Sequence, residues 1–195
     1  MMRIITGKAR GVRLQTLTGE ATRPTSERAK EAVFSILQFE LRDAHVLDLF
    51  AGSGQMGLEA VSRGARRAVL CDASGDAIAV IRENAKRTRL EEACEIIRME
   101  HSAYLRTARV SSPFDLVFLD PPYAMGLIPS SLRMLSERGL LAENAKLICE
   151  SADPSDVFGT DADLASRFEV LKQNRYGAAS ITVLRYVGKQ GEVTE

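Results

Sequence analysis

The residues best equipped for chemistry lie in FDLVFLDPPY, Phe114 to Tyr123. Leu116 to Leu119 has the unbroken apolar character of a fully buried strand, which delivers the carboxylate of Asp120 to the edge of a sheet. Pro121 and Pro122 then end the strand. Neither has an N–H, and each biases its predecessor towards extended backbone, so the turn offers a carboxylate and carbonyls but few donors. With the ring of Tyr123 beside them, these acceptors suit a planar group that carries an amine. Its N–H atoms would point at Asp120 and the Pro121 carbonyl while Tyr123 stacks on its face. A strand-end turn with a surface tyrosine fits the same four residues.

A second constellation precedes it. VLDLFAGSGQMG holds Gly52, Gly54 and Gly57 in G-x-G-x-x-G spacing, directly after a strand and at the start of a helix. Glycines there allow a tight turn and close approach of backbone to a ligand. Asp72, twenty residues beyond Gly52 and at the end of the next strand, is placed to take both hydroxyls of a ribose. Spacing alone fits a dinucleotide or S-adenosylmethionine. Asp48 favours the latter, because an acid inside the preceding strand repels a pyrophosphate and attracts a cationic amino-acid end. Asp48 and the backbone of Ala51, Gly52, Ser53 and Gly54 would therefore face the methionine end of that cofactor, and Asp72 its ribose. The third strand leads into Arg98-Met99-Glu100-His101, where Glu100 could accept from the adenine amine or be a solvated loop acid.

These residues need a scaffold of alternating strands and helices. Val46 to Phe50, Ala68 to Cys71, Ile96–Ile97, the segment ending at Leu119 and Lys146 to Cys149 read as five strands. Helices are expected from the glycine turn to Gly64, from Ser74 to Arg89, around Tyr104–Leu105 and from Leu127 to Arg138, where Pro129 is tolerated in the first turn. Phe168 to Lys172 and Ser180 to Val187 are joined by QNRYGAA, too short for a parallel crossover, which predicts an antiparallel pair at the sheet edge. The ligand would lie across the carboxyl ends of the first two strands, where the strand order is expected to reverse. Ahead of this unit, TRPTSERAKEAVFSILQF predicts a helix capped by Thr25 or Ser26, with Ala29, Ala32, Val33, Ile36 and Leu37 as its buried face.

The first seventeen residues differ in character. RIITGKARGVRLQTL contains two β-like runs separated by Gly7 to Gly11, a hairpin signal. Although the whole chain is neutral, residues 1 to 30 carry seven basic residues against Glu20 and Glu27, a local charge of +5. The hairpin is expected to lie on a polyanionic partner with Lys8, Arg10 and Arg13 on phosphates, or else to be a solvated edge. Arg23 and Thr25 stand where a loop can reach over the pocket. Arginine outnumbers lysine twenty to six, which suits phosphate forks and base stacking and equally a GC-rich genome. Three scattered cysteines and two histidines favour neither a disulfide framework nor a metal centre. No run approaches a membrane span and no signal peptide is evident, so a cytoplasmic protein is expected.

VLDLFAGSGQMGLEA, the acid after the second strand and DPPY after the fourth resemble the SAM-dependent amino-methyltransferases. RIITGKARG, RPTSERAKEAVFSIL and NRYGAASITVLRY resemble, more narrowly, the RsmD family of 16S rRNA (guanine-N2) methyltransferases, over essentially the whole chain. The resemblance implies a class I, Rossmann-like fold with a seven-stranded sheet whose last two strands are antiparallel. It also implies methylation of guanine 966 of 16S rRNA within the small ribosomal subunit, with S-adenosylmethionine as the methyl donor. A monomer without a metal is expected. Glu100 departs from the shorter acid more usual at its position, and Gln55 from a small residue. The expected organisation is a basic hairpin extension over residues 1–22, a methyltransferase domain over 23–188 and a frayed tail over 189–195. Two other functions use the same features: methylation of another amine, in DNA or a small molecule, and a non-catalytic RNA-binding or assembly factor that keeps the fold.

Overall fold

The computed structural model describes residues 2–17, 27–109, 111–122 and 125–188. The expected cap residues Thr25 and Ser26, the boundary near residue 22 and the tail from 189 lie outside them. After helix α1 (Glu27–Ile36), the chain alternates: β1 (His45–Asp48), α2 (Gln55–Ser62), β2 (Arg67–Asp72), α3 (Gly75–Thr88), β3 (Cys94–Arg98), α4 (His101–Thr107), β4 (Phe114–Leu119), α5 (Leu127–Glu137) and β5 (Leu141–Ser151). A short helix α6 (Ala162–Ser166) then precedes the hairpin β6 (Phe168–Tyr176) and β7 (Ala179–Tyr186).

The seven strands form one sheet in the order β3-β2-β1-β4-β5-β7-β6. β1 to β5 pair in parallel, and β7 pairs antiparallel with both β5 and β6. All four residues of β1 are buried, as a central strand covered by helices on both faces requires. Alternate residues feed two cores. Val46, Leu70, Phe118 and Ile148 pack beneath α1, α2 and α3, while Leu47, Val69, Val117 and Leu147 pack against α4 and α5. A mostly parallel sheet with an antiparallel pair at one edge is what the strand and helix pattern predicts, and seven strands with the last two antiparallel are what the resemblance implies.

Two expectations are corrected. The order reverses between β1 and β4, not between the first two strands, because β1 is flanked by both β2 and β4. The crevice at the switch point is thus bordered by the glycine turn on one side and the Asp120 turn on the other. Second, QNRY is strand rather than loop: β6 runs to Tyr176 and turns on Gly177, at φ 65°, so only two residues separate it from β7. Cross-strand pairing with Thr182, Ile181 and Ser180 overrides the weak strand propensity of Gln173, Asn174 and Arg175.

The N-terminal hairpin closes through one antiparallel bridge, Arg3 to Arg13. It is docked on the domain by a thin apolar seam: Ile4, Ala9 and Leu14 are buried in the core under α1 and α2. Burial of a side chain the size of Ile4 or Leu14 contributes about 2 kcal/mol. Gly7 makes the close approach possible, since at φ 90° a Cβ there would stand 1.8 Å from the Ser62 carbonyl oxygen. No helix among the described residues is long and apolar enough to cross a membrane.

Candidate active site

The glycine turn is built by its neighbours on both sides. Gly52 and Gly54 take positive φ, 53° and 76°, a region that a side chain disfavours. Gly54 is the N-cap of α2 and has no side chain to satisfy the first-turn N–H groups. Asp48 supplies that acceptor from the strand before, taking the Gly57 N–H at 2.9 Å. Gly57 is itself tightly held: a Cβ there would come within 2.9 Å of Leu70 and 3.4 Å of Asp48 Cβ. Asp48 is almost wholly buried, and burial pushes its carboxyl up to about 7; the Gly57 bond opposes that shift and the charge of Asp72 adds to it. The carboxylate therefore lies beneath the turn in a low-dielectric setting that a cation would relieve.

Asp72 ends β2 and has two structural partners. One carboxylate oxygen accepts the Gly52 N–H and the other the Ser74 N–H, each at 2.8 Å. An ionised carboxylate offers about four acceptor positions, so capacity remains for a diol after these two bonds. The Ala51 N–H donates to the Cys71 carbonyl at 3.0 Å, which seats the turn against β2. Ser53 is largely buried; its hydroxyl reaches Met2 Sδ at 3.1 Å, and its carbonyl accepts from Asn84 Nδ2 at 2.9 Å.

Glu100 is the N-cap of α4. It accepts from the Ala103 N–H at 2.9 Å and the Ser102 hydroxyl at 2.6 Å, and pairs with His101. These hydrogen bonds, that of Ser102 foremost, hold its carboxyl down at about 2. Its side chain thus shapes the loop whose Met99 N–H binds the Asp72 carbonyl at 3.0 Å. The rings of His101 and Phe50 lie 5.1 Å apart and wall the same end of the sheet.

Across the switch point, β4 delivers Asp120, partly buried, with Pro121 buried and Pro122 exposed. The Pro122 carbonyl accepts from the Met125 N–H at 3.3 Å, which folds the turn back. Tyr123, Arg23 and Thr25 lie outside the described residues. Lys8, Arg10 and Arg13 are exposed on the docked hairpin.

Three residues that shape this region were not singled out from the sequence. Glu59, fully buried on α2, accepts the Ile5 and Thr6 N–H groups at 2.7 and 3.0 Å and the Arg63 guanidinium at 2.7 Å, and lies 3.4 Å from Lys30 Nζ. Lys30, almost fully buried, donates to the Arg3 carbonyl at 2.7 Å; burial lowers its pKa and Glu59 opposes that. Asn84, fully buried on α3, accepts the Gln15 N–H at 2.7 Å and donates to the Gln15 and Ser53 carbonyls. The signal was available in part. Lys30 sits beside Ala29 on the stripe that continues to Val33, and Asn84 lies between Ile81 and Ala85.

The model of the family described as Conserved hypothetical protein 95 matches residues 2–185. Over 150 residues the chain is 35% identical to the Ribosomal RNA small subunit methyltransferase D of Escherichia coli strain K12, covering 77% of this chain and 74% of that one. The chain belongs to the RsmD family. The Haemophilus influenzae protein of the same name is 33% identical over 151 residues, covering 77% of this chain and 78% of the relative. Among solved structures, the yhhF protein of Escherichia coli superposes with a TM-score of 0.81 at 28% identity, over 96% of this chain and 99% of that one. The Thermus thermophilus protein TTHA0928 gives 0.76 at 29% identity, over 96% and 99%. The RsmD family match spans the hairpin as well as the domain, and so includes the surface that bears Lys8, Arg10 and Arg13.

Proposed function

We propose that this protein is an S-adenosylmethionine-dependent rRNA methyltransferase that modifies the N2 amine of guanine 966 in 16S rRNA of the small ribosomal subunit. The observation that carries the reading is the pairing, across one switch point, of a glycine turn underlain by two acids with an Asp-Pro-Pro turn rich in acceptors. The names of the relatives support rRNA as the substrate.

S-adenosylmethionine brings a methyl group on a cationic sulfur. The chain's residues suit it: Asp48 is a buried acid that a nearby cation would hold ionised, and Asp72 keeps acceptor positions for a ribose. Backbone from Ala51 to Gly54 lines the turn between them. Glu100 would contribute through the loop it caps, which would border the adenine end of the donor.

The guanine amine is a poor nucleophile because its lone pair is delocalised into the ring. Attack requires the nitrogen to pyramidalise. Hydrogen bonds from the amine to Asp120 and the Pro121 carbonyl favour that geometry and disperse the positive charge that develops. The rigid prolines fix both acceptors before the base arrives. Tyr123 replaces the stacking that the base loses on leaving its helix. As the N–C bond forms and the C–S bond breaks, the amine gives up one proton to Asp120 or to solvent. Lys8, Arg10 and Arg13, with Arg23 and Thr25, hold the RNA backbone. In this reading residues 1–22 act as the RNA-gripping part and 23–188 as the catalytic domain.

Labelled methyl transfer to undermethylated small subunits, naked 16S rRNA and DNA tests the substrate. Transfer confined to the subunits supports the proposal. Transfer to DNA, or to none of the three, refutes it.

A further inference from the structure

The Asp-Pro-Pro turn selects an amine on a flat ring, which adenine and guanine both carry. A second acid stands next to it. In the parallel β4–β5 ladder the last paired residues are Leu119 and Cys149, so the residues that follow, Asp120 and Glu150, are neighbours at the carboxyl edge. Alternate residues of a strand share a face, so Glu150 belongs to the face of Ile148, and Asp120 follows directly after β4. The row continues across the sheet. Glu150 is opposite Ile181 on β7, and Ile181 is opposite Asn174 on β6. Tyr176, two residues beyond Asn174, receives a hydrogen bond on its hydroxyl from Asn174 Nδ2 at 3.4 Å.

Glu150 is only 7% exposed, yet it lines a small cleft with Pro121, Pro122 and Leu127. A glutamate at the end of a core strand is an expensive choice for packing alone. Glu150 is engaged within the protein, and an ionised carboxylate has about four acceptor positions to share among its partners. The Watson–Crick edge of guanine presents two adjacent donors, N1–H and the N2 amine, whereas adenine and cytosine present a ring acceptor beside their amine.

We propose that Glu150 is the residue that selects guanine, accepting the N1–H while Asp120 holds the adjacent amine. This rests on the reading of the substrate as a guanine amine. Two neighbouring carboxylates match two neighbouring donors. A base with a ring acceptor at that point would set its lone pair against the charge of Glu150 and be rejected.

The test uses small subunits rebuilt from ligated 16S rRNA with either guanine or 2-aminopurine at the methylated position. 2-Aminopurine keeps the amine and turns N1 into an acceptor. The wild-type protein should methylate guanine with a kcat/KM roughly a hundredfold above that for 2-aminopurine. Glu150→Gln, which can donate to N1, should lower guanine transfer by a similar factor and leave or improve 2-aminopurine transfer. S-adenosylmethionine affinity and melting temperature should stay as in the wild type. Equal losses on both bases, or no change with guanine, would overturn the role of Glu150. The wild-type comparison needs no variant, so equal wild-type rates on the two bases overturn it even if Glu150→Gln fails to fold. Absence of wild-type transfer to guanine subunits is a different result, which defeats the substrate reading and this inference with it.

Discussion

The proposed function gives each acid at the carboxyl edge a separate task, and single substitutions should separate them. Asp120→Ala should reduce methyl transfer by a factor of roughly 10³ and leave the dissociation constant for S-adenosylmethionine within about twofold, because the role proposed for Asp120 is to hold the amine and not the donor. Calorimetric titration beside single-turnover transfer measures both; undiminished transfer would remove Asp120 from the mechanism. Asp48 predicts a pH dependence. With its carboxyl pushed up to about 7, it is neutral below that pH in the cofactor-free protein and must ionise to attract a cation. Cofactor affinity should therefore rise by up to about tenfold per unit as pH approaches 7 and level off above it. The native state also holds this proton more tightly than the unfolded chain, so the contribution of Asp48 to stability falls as pH rises from about 4 to about 7. Asp48→Asn should flatten both trends in parallel titrations and melts. The sequence marked Asp72 and Asp120 because each follows an apolar run at a strand end, and Asp48 because it lies inside the strand before the glycines. It did not show that Asp48 caps α2 or that Asp72 grips Gly52, since those bonds depend on how the turn folds back over the sheet.

At the level of elements, the hairpin joins the exposed basic residues Lys8, Arg10 and Arg13 to the glycine turn. Its apolar seam and the buried Glu59 fix it to α1 and α2, and Asn84 ties Gln15 to the Ser53 carbonyl. Its basic residues remain outward. Replacing Lys8, Arg10 and Arg13 together with Ala should weaken binding to small subunits and reduce the salt slope by about 2 to 3, the value for three lost phosphate contacts. An unchanged slope would make the hairpin structural only. Glu59→Gln should destabilise the protein by about 3 kcal/mol, because it leaves Lys30 buried without its counter-charge. Chemical denaturation measures this directly. The hairpin was legible from Gly7 to Gly11, but its docking was not: Ile4, Ala9 and Leu14 are too widely spaced to announce a seam before the surface they meet is known. Helix α4 gives a similar lesson. The sequence left Glu100 open between an adenine contact and a solvated loop acid, and did not show that its side chain caps α4; aspartate caps helices at least as well, so Glu100→Asp should leave stability within about 0.5 kcal/mol.

For the molecule as a whole, the alternation of buried strands and amphipathic helices was enough to reveal the sheet, its parallel part and its antiparallel edge. The position of the order reversal was not, because it depends on which strand β4 chooses as neighbour. That choice decides the architecture of the site: β4 beside β1 brings the Asp-Pro-Pro turn opposite the glycine turn, and β5 beside β4 brings Glu150 next to Asp120. The central claim is that this juxtaposition transfers one methyl group to one guanine amine. Its most direct measurement is mass spectrometry of nuclease-digested 16S rRNA after undermethylated small subunits are incubated with the protein and S-adenosylmethionine. One N2-methylguanosine per subunit, at guanine 966 and absent with Asp120→Ala, is the predicted result. A methyl group on another base, or none on any, would contradict it.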